Sequence, residues 1–165
     1  MARSASFGLN PKKSYGTSQS IQEVVPGRRF SDVNGDWLCI TANGAIAQYA
    51  WCVFDPNSTT FQAAEMTTTN AGSATLQAGV AQFALATTEV GFIWLGGSGG
   101  GGYGKGIKGK VAASYVAKAI LYTTATAGVA DDASTTKIQG VVGLSTDSGS
   151  GSSIELYSSG PIYVN

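Results

Sequence analysis

The feature that most constrains the fold is a succession of short apolar or threonine-rich runs, each followed by residues that favour turns. The turn positions are occupied by pairs such as Asn34-Gly35 and Asn43-Gly44. Runs at this spacing are typical of an all-β protein rather than of alternating strands and helices. The predicted strands are Trp37–Thr41, Ile46–Phe54, Phe61–Glu65, Val80–Leu85, Glu89–Leu95, Ile107–Ala113, Ala119–Thr123, Val141–Leu144, Ile154–Tyr157 and Ile162–Val164. We therefore predict an all-β fold, a compact β-barrel or sandwich of about ten short strands.

An extended basic arm is predicted at residues 1–30, ahead of a single β-barrel-like domain at residues 31–165. The arm has no sustained apolar period, and its five cations face one acid, a net charge of +4. The other 135 residues carry five lysines and nine acids, a net charge of −4. Lys12, Lys13, Arg28 and Arg29 are the candidate contacts of this arm with an acidic partner surface.

The composition argues against catalysis. The chain has no histidine, which excludes histidine-based triads, histidine metal ligands and a histidine pH switch. Asp131-Asp132, the adjacent acid pair, lies among small turn-forming residues, where a solvated turn is expected. The remaining carboxylates are isolated in the sequence. We predict no enzyme activity, no cofactor and no metal site.

Nucleic acid and membrane are not predicted as partners. Formal net charge is zero, and no basic block is present. The longest apolar stretches, such as Val90–Leu95, are far shorter than the roughly 20 residues of a membrane helix. Because the N-terminal residues contain no apolar secretory core, we expect a soluble chain made inside the cell.

The glycine-rich segment 96–110 (GGSGGGGYGKGIKGK) has the spacing of a phosphate-binding loop. Gly106 follows Lys105 where that loop needs Ser or Thr for magnesium, and a strand-like run follows instead of a helix. We predict a flexible glycine-rich hairpin loop at residues 96–106. Tyr103 is the isolated aromatic residue in this loop and is a candidate contact residue.

The dipeptide Asn43-Gly44 favours a two-residue type I′ hairpin turn, which would pair Cys39 with Gln48. At roughly 3.3 Å per residue, Cys52 would lie about 13 Å from the point opposite Cys39. A disulfide needs Cα atoms within about 7 Å, so we predict two free core thiols.

Residues 111–119 (VAASYVAKA) have a helical composition but no N-cap, and they continue into a strand-like run. We predict a strand there. The strand tryptophans Trp37, Trp51 and Trp94 are predicted to lie in the core or in a subunit interface.

A weak internal duplication is visible. Residues 47–54 (AQYAWCVF) and 77–81 (QAGVA) are similar to residues 116–123 (VAKAILYT) and 139–143 (QGVVG). Each half has a strand, a threonine-rich excursion and a returning strand. Two similar β units folded on each other would make one closed barrel with few open edges.

The C-terminal part of the chain resembles a known family. Residues 79–95 (GVAQFALATTEVGFIWL), 112–132 (AASYVAKAILYTTATAGVADD), 138–144 (IQGVVGL) and 154–161 (IELYSSGP) carry the likeness. These segments resemble the capsid decoration (cement) proteins of tailed bacteriophages, which are β-barrel proteins that bind the outside of the shell. The likeness spans roughly residues 36–165 and involves no invariant chemical motif. The arm and the glycine-rich insertion depart from the family.

The resemblance implies a structural virion protein on the outer capsid surface, made in the host cytoplasm, that cements adjacent major capsid subunits. It also implies contacts with neighbouring copies, as homotrimers or clusters. The alternative is a host-adhesion or carbohydrate-binding fibre module of the virion, in which tryptophan and tyrosine rings stack on sugars.

Overall fold

The computed structural model describes residues 15–16, 24–55, 59–72, 77–97, 106–133, 135–146 and 152–165. In that part of the chain the fold is all-β, with eleven strands and one four-residue helix, α1 (Thr68–Ala71). The strands are β1 (Arg29–Asp32), β2 (Gly35–Ala42), β3 (Trp51–Phe54), β4 (Gln62–Glu65), β5 (Gln77–Ala81), β6 (Val90–Gly96), β7 (Lys108–Lys110), β8 (Ile120–Thr123), β9 (Ala130–Asp131), β10 (Lys137–Gly143) and β11 (Ser153–Val164). The predicted all-β class is confirmed.

The strands form one mixed sheet in the order β1-β2-β4-β3-β5-β6-β11-β10-β8-β9, and β7 pairs with β11. This order starts at β1 and ends at β9, so the body is sandwich-like and is not one closed barrel. Of the two predicted architectures, the sandwich is therefore correct. The two halves of the sheet meet through β11, where Pro161 pairs with Gly96 and Tyr163 pairs with Gln77. Because β11 pairs with β5 and with β6 at one position each, the two halves do not close into a single barrel.

Ten of the eleven described strands, all except β1, form two successive units with the same pairing scheme. We call β2–β6 the first repeat and β7–β11 the second repeat. In each, the first strand pairs antiparallel with the fifth, the second pairs with the third and the fourth, and the fourth pairs with the fifth. A parallel contact between the first and third strands also recurs, as Ala42 beside Ala63 and as Val111 beside Ala130. The predicted duplication is confirmed, and it extends to all five strands.

The pairing register repeats together with the strand order. In the first repeat, Val80 of β5 is paired with Trp51 on one side and with Trp94 on the other. In the second repeat, the equivalent residues are Val142, Ile120 and Tyr157, paired in the same order. Equivalent positions therefore lie on equivalent faces of the two repeats.

One backbone contact anchors the start of the second strand in both repeats. The N–H of Tyr49 donates to the carbonyl of Ala81 at 2.7 Å, and the N–H of Lys118 donates to that of Gly143 at 2.9 Å. Both donors have a positive φ, 64° at Tyr49 and 63° at Lys118. The turn at each of these residues precedes the second strand of its repeat, so that strand joins the sheet in the same register in both repeats.

The backbone conformation in the turns corrects two of the sequence predictions. The type I′ hairpin at Asn43-Gly44 is wrong because only Gly44 of the pair has a positive φ, and that turn needs two. Ile46 instead bridges to Leu85. The strand predicted at residues 111–119 is also wrong: turns interrupt it, with Ser114 and Lys118 at positive φ, and only Val111 makes a β-bridge.

The first repeat has an inner core of its own. Its strand pairings run in a closed circuit, β2-β4-β3-β5-β6 and back to β2. Alternate residues of these strands point into the circuit. Ile46 and Leu85, from the two loops that bridge to each other, complete the cluster. Its other buried members are Leu38, Ile40, Ala42, Ala50, Cys52, Phe54, Ala63, Ala81, Ile93 and Leu95.

The opposite, outer face of the first repeat carries a row of large residues. Trp37, Trp94, Val80 and Trp51 are paired neighbours across β2, β6, β5 and β3, and none of them is exposed. We call this outer face the Trp face. The indole N–H of Trp51 donates to the carbonyl of Lys110 at 2.8 Å, in the first strand of the second repeat.

The second repeat covers the Trp face with its inner residues. Gly109 lies against Trp51, since a Cβ there would be 3.0 Å from Cζ2 of that ring. The Trp face and the inner residues of the second repeat form one continuous cluster. The inner residues in it are Ile107, Val111, Tyr115, Leu121, Ala130, Val141, Ile154 and Leu156. The two repeats are therefore stacked outer face to inner face.

The described part of the predicted arm lies on the body. Tyr15 donates its N–H to the carbonyl of Val90 at 2.9 Å, and its ring meets Phe92 edge-on at 5.8 Å. Phe30 stacks on Trp37 at 6.2 Å. Arg29 and Phe30, the last two residues of the predicted arm, are the first two of β1. Tyr15 and Phe30 are thus partly buried against the cluster that contains the Trp face.

We expect Thr88→Gly to stabilise the fold by about 1 kcal/mol. Thr88 is exposed and has φ 68°, a conformation that costs an L residue about 1–2 kcal/mol. Urea unfolding checks this, with Thr87→Gly in the same turn as the control. Thr87 has no positive φ, so its replacement should cost about 0.5–1 kcal/mol. Equal signs for the two variants would contradict the strain argument.

Valine-to-alanine changes at equivalent positions measure the unequal burial of the two repeats. Val80→Ala should cost about 2–3 kcal/mol, because it removes two buried methyl carbons and leaves a cavity beside the tryptophans. Val142→Ala should cost less than about 1 kcal/mol, because Val142 is only partly buried. Urea unfolding of both variants in dilute solution compares them. Equal losses would mean that the two faces are equally covered.

Candidate functional site

The outer face of the second repeat is the counterpart of the Trp face, and it is open. Ile120 stands where the first repeat has Trp51 and is 46% exposed, whereas Trp51 is 0% exposed. Tyr122, Val142 and Tyr157 lie on the same face by strand alternation and are half-buried. We call these four residues the open face. A hollow of about 320 Å³ on this face is lined by Ile120, Val142 and Tyr157, together with Lys137, Gln139 and their neighbours.

Charges of both signs border the open face. Lys137 and Asp131 are the paired neighbours of Tyr122 in β10 and β9. Glu155 lies two residues before Tyr157 in β11, on the same side of the strand. Lys137 and Glu155 are exposed. An apolar centre with a mixed polar rim has the anatomy of a protein interface.

A second hollow, of about 260 Å³, lies between β1 and the end of β11. Its polar lining includes Arg29, Asp36, Gln77 and Tyr163, and its apolar lining includes Leu95. The guanidinium of Arg29 donates to Oε1 of Gln77 at 2.9 Å. This contact holds the arginine at the rim of the hollow, with its remaining donors available for an acidic group.

Two of the five predicted contact residues are described. Arg28 and Arg29 are both exposed, next to each other at the start of β1. Strand β1 pairs only with β2 and stands at one end of the described strand order. Lys12, Lys13 and Tyr103 lie outside the described residues. The glycine-rich segment joins β6 to β7, and the described partner of β7 is β11.

Most of the described carboxylates have hydrogen-bond partners within the fold. Among the described residues, no group of three or more His, Cys, Asp or Glu side chains could hold a metal ion. Asp132 accepts from the N–H of Val116 at 3.0 Å, and Asp131 accepts from the N–H of Asp132 at 2.8 Å. The acid pair thus closes a turn at the end of β9. No helix in the described ranges is long and apolar enough to cross a membrane.

The cysteines are free and buried, as predicted. Burial raises the pKa of the Cys39 thiol to about 12, although the nearby Arg28 charge opposes the shift. Burial, together with the Glu65 charge, raises the pKa of the Cys52 thiol further. Cys39 lies on the Trp face and Cys52 in the inner core of the first repeat, so both act as small apolar side chains.

The open face is the surface that the sequence analysis missed. Its residues lie in short runs that are indistinguishable from core strands when each is considered alone. The duplication could have identified this face, because aligning residues 47–54 with 116–123 makes Ile120 the equivalent of Trp51. That alignment identifies the face but not its exposure, which depends on what packs over it.

No protein-family profile, curated protein or solved structure matches this chain.

Thiol reactivity tests the placement of the cysteines. We expect neither thiol to react with a thiol-specific reagent at pH 8 in the folded protein, and both to react in urea. The raised pKa of Cys39 adds stability that is complete below pH 9 and is lost as pH rises toward 12. The free energy of unfolding should therefore fall over that range, and less so in Cys39→Ala. Rapid labelling of the folded chain would contradict the buried placement.

Proposed function

We propose that this chain is a structural virion protein that binds the outer surface of a bacteriophage capsid and cements adjacent major capsid subunits. The proposal rests first on the resemblance of residues 79–95, 112–132, 138–144 and 154–161 to capsid decoration proteins. These segments contribute strands β6, β8, β9 and most of β10 and β11. The resemblance therefore lies in the folded body, in both repeats.

The observation that carries the proposal is the exposed arginine pair, Arg28 and Arg29, where the chain enters β1. Arg28 and Arg29 are neighbours in the sequence and both exposed, at an end of the described strand order. Arg29 also lines the polar hollow, together with Asp36, Gln77 and Tyr163. Arginine forks recognise carboxylates in pairs of hydrogen bonds, which suits an acidic surface on a shell subunit. Many copies bound to one assembled shell stabilise it by mass action.

The fibre alternative has less support in this fold. Sugar-binding modules stack saccharides on exposed aromatic rings, but Trp37, Trp51 and Trp94 are all fully buried. Among the described residues, the exposed aromatic side chains are Phe83 and Tyr163, each 42% exposed. A glycan array on the purified protein distinguishes the two functions.

Co-sedimentation with undecorated, mature-size capsids tests the proposal. We expect saturable binding, with a whole-number ratio of bound chains to capsid subunits set by the local symmetry of the shell. Binding should weaken as salt increases, because exposed charges carry part of it. Absence of binding combined with a positive glycan array would overturn the cement function in favour of adhesion.

Charge reversal tests the role of the arginine pair. Arg28→Glu with Arg29→Glu should weaken capsid binding at least tenfold, about 1.4 kcal/mol, because attraction to an acidic surface becomes repulsion. The matched control is Arg28→Lys with Arg29→Lys, which keeps the charge but loses the paired hydrogen bonds, and it should weaken binding less than the glutamate variant does. Unchanged binding by the glutamate variant would exclude these arginines from the contact.

A further inference from the structure

The two repeats have the same pairing register, but the outer face is buried in the first repeat and partly exposed in the second. In the first repeat, the outer row Trp37, Trp94, Val80 and Trp51 is fully covered. In the second repeat, the equivalent row of Tyr157, Val142 and Ile120 borders the open hollow. The row has kept its apolar character where nothing in the described chain covers it. An apolar surface of this kind marks a site of protein association.

The geometry of the fold restricts what can cover the open face. The Trp face is covered by the inner residues of the next repeat, among them Leu121 and Leu156. Continuing that stack with another molecule would require a free inner face. The inner face of the first repeat is closed by its own strand circuit and by Ile46 and Leu85, each no more than 3% exposed. A head-to-tail stack of copies is therefore excluded.

The rim of the open face suits contact with an identical surface. It carries Lys137 on one strand and Asp131 and Glu155 on two others. A surface with both signs of charge can place its lysine against an acid of an identical surface related by a two-fold axis. A strongly basic or strongly acidic partner would leave one sign unpaired at this rim.

We propose that the open face is a self-association surface, on which the open face of a second copy of this chain docks about a two-fold axis. Ile120, Val142 and Tyr157 form its apolar centre, and Lys137 faces Asp131 or Glu155 of the other copy. This contact is separate from the arginine pair on β1 and does not depend on capsid binding. The second copy would cover the open face of the second repeat, just as the second repeat covers the Trp face of the first.

Mass measurement by analytical ultracentrifugation tests the proposal with the full chain. The wild type should sediment as a dimer in the micromolar range, and Ile120→Glu as a monomer, because a buried pair of like charges opposes docking. Val33→Glu is the matched control, since Val33 is 92% exposed in the turn between β1 and β2 and lies outside the open face. It should remain dimeric. A monomeric wild type, or a dimeric Ile120→Glu variant, would overturn the proposal.

Cross-linking checks the location independently of any effect on folding. Ile120→Cys introduces an exposed thiol, while the native Cys39 and Cys52 are buried. A short bismaleimide should convert this variant to covalent dimers and leave Val33→Cys monomeric on a denaturing gel. Equal cross-linking of the two variants, or none at Ile120→Cys, would overturn the two-fold contact at this face.

Discussion

Burial of the Trp face between the two repeats is the contact on which the rest of this structure depends. Three tryptophans lie on one side of four adjacent strands, and each can bury about 150–250 Å². At roughly 25 cal/mol per Å², each contributes up to about 4–6 kcal/mol, an upper limit because unfolded chains already bury part of this area. The indoles of Trp51 and Trp94 donate to backbone carbonyls of Lys110 and Asn34, which satisfies their polar atoms while the rings remain dry.

The same pairing scheme therefore gives two different units. In the first repeat, a closed circuit of strands encloses an apolar core, and tryptophan rings lie on the outside. In the second repeat, the inner residues serve as the cover for those rings, and Gly109 leaves room for Trp51. The outer row of the second repeat consists of smaller side chains on a surface. Duplication thus supplies the architecture, and what packs above each outer face decides whether that face is core or surface.

The architecture separates the two surfaces that we propose to be binding surfaces. The exposed arginines and the polar hollow belong to the edge at β1, while the apolar open face belongs to β8, β10 and β11. A protein that cements a shell needs contacts with the shell and with neighbouring copies, and two chemically distinct surfaces allow both at once. The charged edge favours fast, salt-sensitive recognition. The apolar face favours slow dissociation, because its burial removes water from side chains rather than pairing charges.

The sequence by itself determined the all-β class, the internal duplication, the free cysteines and the burial of the tryptophans, because strand periodicity and turn chemistry are local. It did not determine the turns at Tyr49, Thr88 and Lys118, where non-glycine residues adopt positive φ because hydrogen bonds to distant strands hold them there. The Asn43-Gly44 hairpin was wrong because β2 pairs with β6, some fifty residues away along the chain. The single closed barrel was wrong because, among the described strands, the two repeats pair only at single positions of β11. Only the tertiary structure decided which outer face is covered, since Val80 and Val142 occupy equivalent strand positions and differ in what packs above them.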